Sequence, residues 1–224
     1  MTYHRLDPKR TAVLFFDMLN AYYRGADSAT QGRMAPVVAN CVRLMVAARG
    51  AGIPIFYAKA DHRPDLADSV TLVTDTDQHL QPWPDPEHPR RFSPSARQGT
   101  WEGEVIQEIS PQPGDYMIPK HRWSAFHQTH LELSLRTRGI DTIVLAGGST
   151  DVGVASTAYS ARDRDFNVVI VQDACIATQM DNHQQLMARI FPRMARVRTT
   201  DQVLEMMGTT LTPRPLPCEG RGDL

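Results

Sequence analysis

Asp17 closes a short apolar run, residues 11–16 (TAVLFF), and Lys120 follows another, residues 115–119 (DYMIP). A third run enters a helix through Leu145-Ala146-Gly147-Gly148-Ser149-Thr150-Asp151-Val152-Gly153-Val154. A carboxylate behind apolar neighbours is partly desolvated, which raises its pKa, and a nearby cation draws it back down. That balance suits a group that must give or take a proton near neutral pH. At the turn, the backbone N–H groups around Val152 and Gly153 open a helix, where they can bind an oxyanion or a substrate carboxylate. Each feature also has a plainer meaning. Asp17 can cap backbone amides at a strand end, and a lone lysine is ordinarily a solvated charge. Ser149 and Thr150 are expected as N-caps of the following helix.

These groups need a scaffold, and the pattern of apolar runs supplies one. Strands are predicted at residues 11–16, 53–58, 115–119, 142–145, 168–171 and 196–198. Helices are predicted at residues 34–49, 129–138, 150–165, 183–194 and 202–207, with a short one at 101–109. The alternation implies an α/β domain: a doubly wound, mostly parallel sheet with helices on both faces, Rossmann-like. Ligands of such sheets bind outside the carboxyl ends of the strands, where Asp17, Lys120 and the 147–153 turn all fall. One domain is expected over residues 1–208. Within it, residues 61–100 form a long polar, proline-rich loop or lid, with Trp83 and Trp101 as lid candidates. Residues 209–224 make a Pro/Gly-rich tail suited to an interface with a neighbouring subunit.

At 224 residues, with 42% hydrophobic and 22% charged, the chain fits a soluble globular domain. A net charge of −1 with scattered basic residues argues against a nucleic-acid or anionic-membrane surface. No apolar run reaches the roughly 20 residues of a membrane span, and the N-terminus lacks a signal-peptide stretch. Cys41, Cys175 and Cys218 form no framework, so the cytoplasm is the expected compartment. Cys41 sits on the apolar face of its helix and is read as core. Cys175 is placed after the fifth strand, as a packed residue or, less simply, a nucleophile. Asp61, His62, His79 and His88 lie in or beside the long loop, and His127 and His130 stand at i and i+3, but no metal spacing is recognisable. No metal and no cofactor are expected. His62 and Arg63 are read as pocket-lining groups or solvated loop residues. Tyr23, Trp123 and Phe126 could wall a flat substrate or sit in the core.

From residue 11 to about 207 the chain resembles the isochorismatase-like (cysteine hydrolase) superfamily. The resemblance rests on Lys120-His121-Arg122-Trp123-Ser124-Ala125-Phe126, on residues 138–147 (RGIDTIVLAG), on Thr150-Asp151-Val152-Gly153-Val154, on residues 158–163 (AYSARD) and on Asp173-Ala174-Cys175. It implies that Asp17, Lys120 and position 153 form the catalytic constellation. Most members carry cysteine at the place of Gly153, where a helix start favours the thiolate. True isochorismatases can carry glycine there, and their acid equivalent to Asp17 protonates an enol ether that water then attacks. The opening Asp17-Met18-Leu19-Asn20-Ala21-Tyr22-Tyr23 is similar to theirs. Residues 57–63 (YAKADHR) depart from their glutamine and arginine, which argues against isochorismate itself.

The expected function is thiol-independent hydrolysis of a small, carboxylated or cyclic metabolite. Asp17 serves as general acid or base, Lys120 orients it, and the Val152 and Gly153 amides receive developing charge. Tyr23, His62, Trp123, Val152 and Ser149 are the expected substrate-binding residues. Two alternatives stand beside it: hydrolysis of an amide or other C–N bond by activated water or an unsuspected side chain, and a non-catalytic binding homologue. The resemblance also implies a homo-oligomer, a dimer or tetramer.

Overall fold

The computed structural model describes residues 5–69 and 94–208. His79, His88, Trp83, Cys218 and the tail lie outside the described residues, as does most of the expected lid.

Six strands form one parallel sheet in the order β3-β2-β1-β4-β5-β6: β1 (Thr11–Phe16), β2 (Ile55–Ala60), β3 (Tyr116–Lys120), β4 (Thr142–Gly148), β5 (Asn167–Ile176) and β6 (Arg196–Arg198). The chain winds outward from β1 through β2 to β3, then crosses to β4 on the other flank. The order of winding therefore reverses between β1 and β4, and the carboxyl edge opens a crevice there.

All six residues of β1 are buried, as a central parallel strand requires. Val13 and Phe15 join one core layer with α2 (Ser28–Gly50) and α6 (Thr200–Met206). Ala12, Leu14 and Phe16 join the opposite layer with α3 (Leu131–Thr137) and α4 (Ala155–Arg162). Burying such side chains is worth about 1.5–3 kcal/mol each before entropy is counted.

Several elements differ from the sequence expectation. α2 begins at Ser28 because the Asp27 carboxylate accepts from the Thr30 amide, 2.9 Å away. A four-residue helix, α1 (Asn20–Tyr23), follows β1. The expected helix at residues 101–109 is two separate 3₁₀ turns, Trp101–Gly103 and Gln107–Ile109. The expected single helix from 150 starts as a π-helical turn, Thr150–Val154, before α4. α5 (Met180–Gln185) likewise passes into a π-helical turn, Leu186–Ile190. β5 runs to Ile176 because its register against β4 shifts between Leu145 and Gly147. The bulged stretch is held from both sides. The Asp173 carboxylate accepts from the Thr200 amide at 2.7 Å and the Thr200 hydroxyl at 2.9 Å, and Asn40 of α2 donates to the Asp173 carbonyl at 2.8 Å.

α6 starts with a full capping box between Thr199 and Gln202. Thr199→Ala is expected to cost about 1 kcal/mol; equilibrium urea unfolding would measure it.

Candidate active site

Asp17 leaves β1 in a left-handed conformation, φ 48°. Aspartate tolerates that region better than most side chains. Its amide donates to the Ala58 carbonyl at 2.8 Å. Its two carboxylate oxygens are divided between backbone and cation. Oδ1 accepts from the Ala60 amide at 2.8 Å, and Oδ2 lies 2.7 Å from the Lys120 ammonium. Both side chains are nearly closed off, 11% exposed for Asp17 and 6% for Lys120. Burial raises the Asp17 pKa, and Lys120 followed by the Ala60 hydrogen bond only partly offsets it. The outcome is a carboxyl group readier to hold a proton than an exposed aspartate.

Lys120 is the last residue of β3, two strands from Asp17. Its ammonium stands 4.5 Å from the centroid of the Phe16 ring, a cation–π distance.

The turn after β4 crowds against the same phenylalanine. Gly147 lies opposite Phe16 in the sheet with φ +121°, and a Cβ there would fall 2.1 Å from the Phe16 carbonyl oxygen. Gly147→Ala is therefore expected to lose about 2–4 kcal/mol, from backbone strain plus a clash with main chain. Thermal unfolding of the variant would check it. At Gly153 a Cβ would meet Phe16 ring atoms at 2.1 and 2.4 Å. The space for a nucleophile's side chain is taken.

Among the described residues, Ser149, Thr150 and Cys175 do not replace it. Ser149 and Thr150 do not cap the helix as expected. The Ser149 hydroxyl donates to Asp151 Oδ1, while Asn182 donates to Asp151 Oδ2 at 2.8 Å. Burial pushes the Asp151 pKa up, but these two donors overcome it and hold the carboxylate below its ordinary range. Thr150 is fully enclosed, its Oγ1 2.9 Å from Nδ1 of buried His183. Cys175 lies inside β5 rather than after it, with Sγ 3.8 Å from the Leu145 carbonyl. Burial pushes its thiol up to about 12, which removes it as a nucleophile near neutral pH. Cys41 is wholly buried, as its helical face suggested.

Tyr23, expected to line the site, packs into the core layer with α2. Its neighbour Tyr22 lies within reach of the Asp17 charge. Although 38% of the residue is exposed, burial together with the Asp17 charge pushes its phenol up to about 12, against a hydrogen bond with Ser95. Sequence reading passed over Tyr22. The signal available was that Asp17 and Tyr22 are five residues apart, bridging strand end and short helix.

His62 is buried, 8% exposed, rather than a solvated loop residue. Its backbone pairs with Arg97, and Gln98 donates to its carbonyl at 2.7 Å, so the two ends of the long segment meet beside the site. Nδ1 lies 3.5 Å from Asp68 Oδ1, and His121 Nε2 lies 3.2 Å from Asp68 Oδ2. Burial lowers the His62 pKa in spite of the Asp68 carboxylate, favouring the neutral ring.

Trp123 is 68% exposed. It belongs to a surface groove of about 560 Å³ with Arg122, Ser124, His127, Ser156, Ser160 and Arg164, a set that includes neither Asp17 nor Lys120. Phe126 is core, its ring 5.7 Å from that of Phe166. The Val152 amide donates to the Ser149 carbonyl at 3.3 Å, which weakens it as a receiver of substrate charge. Among the described residues no group of three or more His, Cys, Asp or Glu could hold a metal ion. No helix among them is long and apolar enough to cross a membrane.

Residues 11–202 match the family model of the isochorismatase domain, and the chain belongs to that family. It is 32% identical over 205 residues to the isochorismatase family protein YecD of Escherichia coli O157:H7, covering 90% of this chain and 98% of that one. It is 31% identical over 189 residues to the ureidoacrylate amidohydrolase RutB of Pseudomonas syringae, covering 76% and 72% of the two chains. Among solved structures, an isochorismatase family protein from Burkholderia thailandensis superposes with a TM-score of 0.74 at 29% identity, over 92% of this chain and 99% of that one. The chain is thus a member of a hydrolase family that has amidohydrolases among its relatives.

Proposed function

We propose that this protein hydrolyses a small, carboxylated or cyclic metabolite without a thiol, with Asp17 as its proton carrier. One observation carries the reading. A buried carboxyl–ammonium pair, 2.7 Å apart, faces a position where the ring of Phe16 leaves no room for a nucleophilic side chain. An enol ether fits such a site. Protonated Asp17 donates its proton to the enol carbon, leaving an oxocarbenium ion. Water adds to that ion, and the resulting hemiketal separates into a ketone and an alcohol. The proton released by water returns to the Asp17 carboxylate. Lys120 holds Asp17 in place and balances its charge after transfer, and the Gly153 amide receives a carboxylate of the substrate.

A general acid must be protonated to act, so its activity is lost as pH rises through its pKa. Because burial raises the Asp17 value above 3.8, log kcat/KM is expected to stay level at low pH and to fall with unit slope once pH passes that raised value. Profiles of wild type on small enol ethers bearing a carboxylate test this. A rate that instead rises through the same range would assign Asp17 as a base and contradict the acid role.

The likeness to RutB favours amide hydrolysis as a second reading, with water as nucleophile. Gly153→Cys alone is a poor discriminator, because its Cβ would strike the Phe16 ring. Phe16→Val combined with Gly153→Cys is the informative variant. Amidase activity in that protein, absent from wild type, would mark a diverged amidohydrolase.

A further inference from the structure

We infer that Phe16 is a positioning residue: its ring has taken the space of the side chain missing at 153, so that residues 16 and 153 act as one unit keeping the Asp17–Lys120 pair dry. A Cβ on Gly153 would lie 2.1 Å from Cε1, 2.4 Å from Cζ and 3.0 Å from Cδ1 of Phe16. The ring cannot easily withdraw. It is 1% exposed and belongs to the core layer of Ala58, Ile118, Ala125 and Val154. Its backbone is paired on both sides, with Ala58 of β2 and Gly147 of β4. The turn bearing Gly153 is equally fixed, since it begins at Thr150, which is fully buried against His183. Two packed elements meet where residue 153 has no side chain. Protein interiors tolerate neither the overlap nor the void.

The ring also touches the chemistry. Its face lies 4.5 Å from the Lys120 ammonium, and that ammonium holds Asp17 Oδ2 at 2.7 Å. Phe16 therefore meets the strand-to-helix turn on one side and the buried ion pair on the other. With a smaller residue at 16 and glycine at 153, the slot would be wide enough for water. Water there would hydrate the Asp17 carboxylate and cancel the desolvation that makes it retain a proton. The consequence for catalysis rests on the acid–base reading above, whereas the steric coupling does not.

Two measurements test the proposal, and neither needs a substrate. The first is a double-mutant cycle on the intact chain, read by thermal unfolding. Gly153→Ala is expected to lower Tm by on the order of 5 °C through overpacking, and Phe16→Val to lower it through the cavity it leaves. Together they should melt above either single variant, because valine lacks the atoms that the new methyl would strike. Additive losses, or a Gly153→Ala protein as stable as wild type, would overturn the pairing. Should Phe16→Val fail to fold alone, Phe16→Leu serves the same corner of the cycle. The second is the titration of the Asp17 carboxyl followed by ¹³C NMR. In Phe16→Val its midpoint should fall toward 3.8 and rise again when Gly153→Ala is added. A midpoint unchanged by Phe16→Val would remove the positioning role and leave Phe16 as ordinary core. Failure of the acid–base reading would appear elsewhere, as turnover that survives loss of the Asp17 carboxyl.

Discussion

Asp17→Asn is expected to reduce turnover by about 10²–10⁴-fold, the range a positioned general acid contributes. Asparagine is close in shape and can still accept from the Ala60 amide, as Asp17 does at 2.8 Å. What it cannot do is release a proton. The comparison is made on a panel of small carboxylated enol ethers and amides, with circular dichroism confirming an unchanged fold. Activity retained on every compound that wild type turns over would refute the proposed role. The Ser149 and Thr150 hydroxyls and the Cys175 thiol are bonded or buried elsewhere, so none is placed to take over.

Lys120→Met should have the largest effect on stability, and that effect should depend on pH. Removing one member of a buried ion pair leaves the other uncompensated, at a cost of about 3–5 kcal/mol. Asp17 can escape part of this by taking up a proton. Its folded pKa is already raised above 3.8, and loss of the ammonium that opposes the rise lifts it further. A carboxyl group with a raised folded pKa is stabilising while both states are protonated, below 3.8. That contribution is lost progressively as pH rises from there through the folded value. The variant should therefore unfold close to wild type at acid pH and much more readily near pH 8. Urea titrations across the range would show it. A loss that does not vary with pH would mean that Asp17 does not carry the charge Lys120 neutralises.

The sheet was legible because its strands are buried on both faces and read as continuous apolar runs such as residues 11–16. Each predicted strand lies within one or two residues of an observed one at its start. Helix ends were harder. Pro36 sits inside α2 and obscured its first two turns, although Asp27 three residues before Thr30 was a usable cap signal. The bulge in β5 hid the true position of Cys175, since a register shift leaves no period in the sequence. Asp17, Lys120 and the 147–153 turn were singled out from motifs, and the fold sets Asp17 against Lys120. Their environment could not be read from motifs. Which of Tyr22 and Tyr23 enters the core depends on how a four-residue helix is rotated, and His62 is buried where Arg97 and Gln98 return beside it. Phe16 was the least visible of all. Six buried residues in a strand look alike until two glycines from a distant turn are found to make way for one of them.

The most direct test of the whole account is the pH titration of the Asp17 carboxyl carbon in the unmodified protein. A midpoint clearly above 3.8 is the result expected for a proton carrier held out of water against Lys120. A midpoint at or below that value would describe a well-solvated or fully compensated carboxylate, and would contradict the proposed chemistry at its source.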